Sequence, residues 1–241
     1  MKAFRIVLSS WTASFRCPNI ISGVQLSMQA PPLSTIYGLI SASVGDYVGP
    51  ENCGISYCFR HTSSSFDLET IYKIQLNKEK GFPTRNATSD IVKRQILFDN
   101  VLILYVDNEK IAKSFENPIF PLLLGRSGDL ATVERIDEVV LNKKKGLKIA
   151  GTVFPLKMGK AYGQLQALPT HFSNTLPRKN IGTQPFYIIS SKGTWKRNDN
   201  NYLNFEEWVW EQEPVFVDVE GYTDDITGLD LWWFGGKHNI C

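Results

Sequence analysis

The chain has 241 residues, 43% hydrophobic and 21% charged, with 18 glycines and 12 prolines; this is ordinary globular usage for one large domain or two small ones, and it excludes collagen-like and low-complexity classes. No apolar run approaches the ~18 residues of a membrane helix, and the interrupted stretch after Lys2 and Arg5, with Arg16 soon following, makes a poor secretory signal, so a soluble cytoplasmic protein is expected. The net charge of +2 hides a division: residues 1–197 hold 25 of the 26 basic residues against 14 acids, a balance of +11, whereas residues 198–241 hold one lysine and ten acids, −9.

Lys2 to Leu8 alternates, with Phe4, Ile6 and Leu8 on one face and Ala3, Arg5 and Val7 on the other, which predicts a strand. Pro31-Pro32 then precede a helical pattern, Ile36, Leu39, Ile40 and Val44, with Ser34 as the expected N-cap and Gly45 as the stop. Alternation returns in Ile55, Tyr57 and Phe59, and again in Phe66, Leu68, Tyr72, Ile74 and Leu76. Residues 77–95 turn polar and basic (Lys78, Lys80, Arg85, Lys93, Arg94), and Val101–Val106 is a continuous apolar run of the kind found in central strands. Asn108–Glu116 reads as a short helix, and a last strand is expected in Val133–Leu141.

That order, with residues 66–97 as a hairpin projecting from the sheet, gives an α+β fold built on a ferredoxin-like βαββαβ unit. The second half is strand-rich, with strands at Pro185–Ile189 and Pro214–Val217. Four tryptophans among the tail acids (Trp208, Trp210, Trp232, Trp233) suggest internal packing or a docking surface.

Three segments carry possible chemistry. Leu124-Gly125-Arg126-Ser127-Gly128 places glycines, a guanidinium and a hydroxyl after an apolar stretch, where backbone can lie close to phosphate or ribose; it is neither a P-loop nor a dinucleotide fingerprint. Arg85, Lys93 and Arg94 on the hairpin can track a nucleic-acid backbone or simply solvate an exposed ribbon. Ser34-Thr35 at a helix start, with Tyr37 next and Trp11, Phe15 and Arg16 upstream, offers anion donors and a ring that stacks on a base or fills core. The cysteines Cys17, Cys53, Cys58 and Cys241 form no metal pattern, and no cofactor or metal is expected. Asn86-Ala87-Thr88 is a sequon without meaning unless secreted. His61, His171 and His238 lack patterned partners; the alternative of a metal-independent endoribonuclease needs a pair such as Tyr57 with His61.

The opening strand, Pro31-Pro32-Leu33-Ser34-Thr35-Ile36-Tyr37-Gly38-Leu39-Ile40, Ile91-Val92-Lys93-Arg94-Gln95-Ile96-Leu97, Leu124-Gly125-Arg126-Ser127, and Leu176-Pro177-Arg178-Lys179 before Phe186-Tyr187-Ile188 together resemble the Cas-five family, the RAMP-type subunit of type I CRISPR effector complexes (Cascade), most like type I-B. The resemblance spans residues 2 to about 190; the acidic tail matches none of it. It implies a ferredoxin-like, RRM-related domain over 1–145 with a thumb hairpin at 66–97, and a smaller β-rich part over 146–241. It further implies a non-catalytic subunit that caps the crRNA 5′ handle, touches the Cas-seven backbone and Cas-eight large subunits, and lies by target DNA near the PAM, with no membrane contact. Carried over, the RNA-binding residues are Ser34, Thr35, Tyr37, Gly125, Arg126 and Ser127, with Arg85, Lys93 and Arg94 on the thumb and Arg16, Arg178 and Lys179 as additions. Type I-C relatives cut RNA with a Tyr and an adjacent Lys-His pair; here the only such pair is Lys237-His238, far from the ferredoxin-like region, and Tyr37 or Tyr47 would have to serve as the tyrosine.

Overall fold

The computed structural model describes residues 1–20, 23–76, 81, 83–198 and 203–236. Strand β1 (Lys2–Ala13) is followed by three two-residue strands, β2 (Phe15–Arg16), β3 (Val24–Gln25) and β4 (Ser27–Met28), and then by helix α1 (Leu33–Val44). Two long strands, β5 (Ile55–Leu76) and β6 (Pro83–Val106), precede the short helix α2 (Glu109–Ser114) and strand β7 (Thr132–Val140). The remainder is β8 (Asn142–Ile149), β9 (Thr152–Pro155), β10 (Gln164–Leu168), β11 (His171–Phe172), β12 (Asn180–Ile181), β13 (Gln184–Ile189), β14 (Gly193–Arg197), β15 (Leu203–Trp210), β16 (Val215–Asp224) and β17 (Leu229–Leu231).

β1 is the centre of the main sheet. It pairs antiparallel with β6 on one side and β7 on the other, and β5 pairs antiparallel with β6, so the order across the sheet is β5-β6-β1-β7. In chain order these are strand, helix, strand, strand, helix, strand. β3 adds a short parallel contact at Lys93 and Arg94. β5 and β6 are 22 and 24 residues long, roughly 70 Å at about 3.3 Å per residue. The end that pairs Ile55–His61 with Asn100–Val106 is buried; beyond Ser63, with Leu97, Ile96 and Val92 the buried exceptions among the described side chains, the two strands continue as a mostly exposed ribbon.

α1 starts two residues earlier than its hydroxyls suggest. Pro32, extended at φ −68° and ψ 156°, is the N-cap without a side-chain bond, and its carbonyl accepts from Thr35 N at 2.9 Å and Ile36 N at 3.3 Å. Proline's ring fixes φ and it has no N–H to leave unpaired, so it is tolerated at the helix entry without a side-chain cap. Ser34 therefore sits inside the first turn and is not the cap. Gly45 closes the helix at φ 80°, its N–H donating to Ser41 O at 2.9 Å. In α2 the Asn108 side chain accepts from the amides of Lys110 and Ile111, the expected capping chemistry.

Because β1 alternates apolar residues on both faces, the sheet needs covering twice. Phe4, Ile6, Leu8, Phe59, Leu102 and Leu104 pack under α1 and α2, together with Leu147, Phe154, Phe186 and Trp232 from the second half. On the other face Ala3, Val7, Val101, Ile103 and Val139 pack against Leu203, Tyr222, Leu229, Leu231 and Trp233. Adjacent tryptophans thus enter opposite cores, and these tail aromatics are packing groups. Within the second core Arg5 reaches Asp224 at 2.7 Å and Asp137 at 2.9 Å, and Tyr105 Oη donates to Asp224 at 2.8 Å.

The charge division of the sequence is partly cancelled in space. Tail acids meet body cations: Asp224 with Arg5, Asp230 with Lys144 at 2.8 Å, Glu220 with Lys145 at 3.0 Å and Glu211 with Lys192 at 2.9 Å. Four of the ten tail acids are thus spent on body cations among the described residues, so the tail neutralises only part of the +11 body.

Candidate nucleic-acid interface

The expected site residues fall into two places, the root of the ribbon and the outer side of α1. At the root, the loop between α2 and β7 lies directly against β1. Ser14 N donates to Leu124 O at 3.2 Å, and a Cβ on Gly125 (φ 119°) would stand 2.1 Å from Ser14 O, so only glycine fits. The close approach that glycine permits is thus to the chain's own backbone.

Arg126 differs from the expectation of an open phosphate clamp. Its Nε donates to Asp129 Oδ2 at 3.1 Å, its Nη2 to Oδ1 at 2.8 Å and its backbone N to Oδ2 at 2.9 Å. Thr12 Oγ1 completes the cage at 2.7 Å from Oδ1. Asp129 is fully buried; burial alone would raise its carboxyl, but the hydrogen bonds from Arg126 and Thr12 outweigh that and hold it below the usual range. One edge of the guanidinium is therefore committed to the turn, which rules out a bidentate grip by that edge.

The same loop adjoins the ribbon. The charge on Arg126 is stabilised first by its Asp129 hydrogen bond and, more weakly, by Glu69 and Asp67. Glu69 is the partner of Arg94 Nε, Ser14 Oγ donates to Gln95 O at 2.9 Å, and Ser27 N to Gln95 Oε1 at 3.2 Å. Gly125, Arg126, Ser127 and Arg94 are thus gathered at one corner. Arg16 is exposed on β2, whose partner β4 touches that corner through Ser27. Trp11, 86% exposed, precedes Thr12. Lys93 is exposed further along the ribbon. The side chains of Arg85 and Trp208, and Lys78, Lys80, Lys237, His238 and Cys241 altogether, lie outside the described residues.

The second place is a groove of about 540 Å³ between α1, β11 and the segment around Phe120. Ser34, Gly38 and Ser41 line one side; Phe120, His171 and Arg178 line the others. Thr35, half-buried, lies beside Ser34, and Lys179, exposed, beside Arg178, its amide donating to Ser173 Oγ at 2.9 Å. Tyr37 is not a stacking platform. It is buried in the first core, its hydroxyl donates to Cys53 O at 3.3 Å, and burial drives its pKa upward. Phe120 and His171 were not singled out as binding residues, because nothing local marks them; they reach the groove from segments far from Ser34 in sequence.

Tyr57 and His61 form no catalytic pair. Both are buried, and four residues along one strand separate them by roughly 13 Å. Tyr57 Oη donates to Pro31 O at 2.6 Å; burial, reinforced by Lys192, pulls His61 down to about 4, so it is neutral. Tyr37 is equally sequestered. Among the described residues no group of three or more His, Cys, Asp or Glu is placed to hold a metal, and no helix is long and apolar enough to cross a membrane.

No protein-family model and no curated protein matches this sequence. Among solved structures the chain is similar to a subunit of a CRISPR RNA-guided surveillance complex (16% identity, TM-score 0.48, covering 78% of this chain and 89% of that one). It is also similar to a CRISPR protein from Archaeoglobus fulgidus (13%, 0.47, 98% and 99%) and to a chain of the type III-B Cmr-beta complex bound to cognate target RNA and AMPPnP (9%, 0.45, 78% and 84%).

Proposed function

We propose that this chain is a non-catalytic crRNA-binding subunit of a type I CRISPR effector complex, of the Cas-five kind and most like type I-B. In this reading β1-α1-β5-β6-α2-β7 is a ferredoxin-like domain, the exposed part of β5 and β6 is its thumb, and the protein caps the 5′ handle of the guide while bridging the Cas-seven and Cas-eight subunits near the PAM. The observation that carries the reading is the corner at the ribbon root. The sheet order β5-β6-β1-β7 puts the glycine loop before β7 next to the start of the ribbon, so two of the motifs named from sequence, Ile91–Leu97 and Leu124–Ser127, meet although Arg94 and Arg126 are 32 positions apart.

Both sheet faces are covered by packed side chains, so RNA cannot lie across the sheet as it does on an RRM. A single strand instead has Trp11 for stacking, exposed Arg16 and Ser127 at the root, and Ser34, Thr35, Arg178 and Lys179 along α1. Replacing Arg16→Ser and Arg178→Ser together removes two exposed cations without touching either core. Guide RNA retained by the co-expressed complex should fall, and the slope of log K against log salt should flatten by roughly 1.4, about 0.7 per lost phosphate contact on a single strand. Full RNA occupancy with an unchanged slope sinks the reading. A specific cut in labelled repeat RNA incubated with pure protein and EDTA would overturn its non-catalytic part.

A further inference from the structure

The groove beside α1 runs from Ser34 in the first turn of the helix to Asp46, just past its Gly45 cap. Its volume of about 540 Å³ lies within the roughly 300–1,000 Å³ of small-ligand sites. Three rings line it, Tyr47, Phe120 and Phe172. Phe120 and Phe172 are 55% and 37% exposed, and none of the three stacks on another ring among the described residues. Phe120 is pinned to the end of α1 by its amide, which donates to Ala42 O at 3.0 Å. The lining also holds one carboxylate, Asp46, and one guanidinium, Arg178, and neither forms an ion pair with a described residue. Asp46 Oδ1 accepts from Tyr47 N at 2.7 Å, which orients the carboxylate and leaves lone pairs on both oxygens.

This set selects a ligand with a flat ring, an anionic group and donors on the ring edge. A phosphate answers Arg178 and is repelled by Asp46, so the acid takes the other end of the ligand. A cation seated among the rings would satisfy Asp46 but leave Arg178 opposed. Asp46 also discriminates between bases. Guanine presents two adjacent donors, N1–H and N2–H, which together fit a carboxylate. Adenine and cytosine set an acceptor beside their amino group, and uracil flanks its one N–H with carbonyls. We propose that the groove binds one guanine nucleotide, its base against Tyr47 and Phe120 with the N1–H and N2–H edge on Asp46, and its phosphate on Arg178. The proposal deepens the RNA reading and rests on it for the source of that nucleotide, a guanosine of the bound strand; a free guanine nucleotide carries the same chemistry.

Isothermal titration of the purified full chain with GMP, IMP, AMP and UMP tests it. GMP should bind about tenfold more tightly than AMP or UMP, with IMP, which lacks the amino donor, in between. Asp46→Asn should erase that preference without lowering the affinity for AMP, and Arg178→Ser should weaken all four alike, each with an unchanged melting temperature. GMP that releases a bound guanosine-containing RNA strand identifies the strand as the source, and GMP that binds without releasing it identifies the free nucleotide. Equal affinities for the four, a guanine preference that survives Asp46→Asn, or no binding of any of them overturns the inference, even where the complex keeps its guide RNA. Loss of guide RNA beside an intact GMP preference counts against the RNA reading alone.

Discussion

Asp224 and Asp129 are both sealed from solvent and both answered by an arginine. For Asp224 burial pushes the carboxyl up, but hydrogen bonds from Tyr105 and Arg5 outweigh it, and the folded pKa lies below the ordinary value near 4. Such a group contributes its full stabilisation above the unfolded pKa and loses it as pH falls through the folded one. Urea midpoints should therefore hold above about pH 5 and drop below about pH 4, with a smaller acid loss in Asp224→Asn. Asp224→Ala, which leaves Arg5 buried without its partner, should cost about 3–5 kcal/mol by chemical denaturation. Gly125→Ala should cost about 1–3 kcal/mol, since it strains the loop off β1, whereas Gly128→Ala, with nothing within 4 Å, should be neutral; equal melting curves for the two would contradict this. At this scale the sequence was partly readable. The Gly-Arg-Ser-Gly run stands out, and Asp129, three residues after Arg126, was the clue that the arginine serves its own turn. Tyr37 lies between Ile36 and Ile40 on the buried side of α1, which helical spacing alone already allowed.

The elements were most legible where one period dominates. β1 shows clean alternation only to Leu8 yet runs to Ala13, because Ser9, Ser10 and Thr12 are polar residues placed by hydrogen bonds to Glu134, the chain's own carbonyl at Thr12, and Asp129. The ribbon followed from alternation in 66–76 and the apolar run at 101–106. The groove beside α1 had no local signature, since His171 and Arg178 reach it only through tertiary packing against Ser34. As the described side chains of the outer ribbon contribute little beyond Val92 to buried apolar surface, joining Glu69 to Val92 through a short turn should leave stability within about 1 kcal/mol. A denaturation midpoint far below the parent's would show that the ribbon supports the sheet.

At the scale of the molecule, the two halves are not separable layers. Residues from β8 onward fill the helix-side core and roof the opposite face, and the acidic tail neutralises part of the basic body. Composition showed the charge division but not its cancellation, because pairing across the chain has no periodic trace. Trp233→Ala should cost about 3–5 kcal/mol, and removing residues 203–241 should yield aggregated protein in solubility and scattering assays rather than a folded, assembly-competent remainder.

Trp232 and Trp233 also impose an order on synthesis. Neither side of the sheet can close until residue 233 has left the ribosome, so the segment from β1 onward remains an unfinished, sticky platform until those tryptophans emerge. Yield of soluble protein should then depend on elongation speed and on the chaperones that reach the chain before residue 233 emerges.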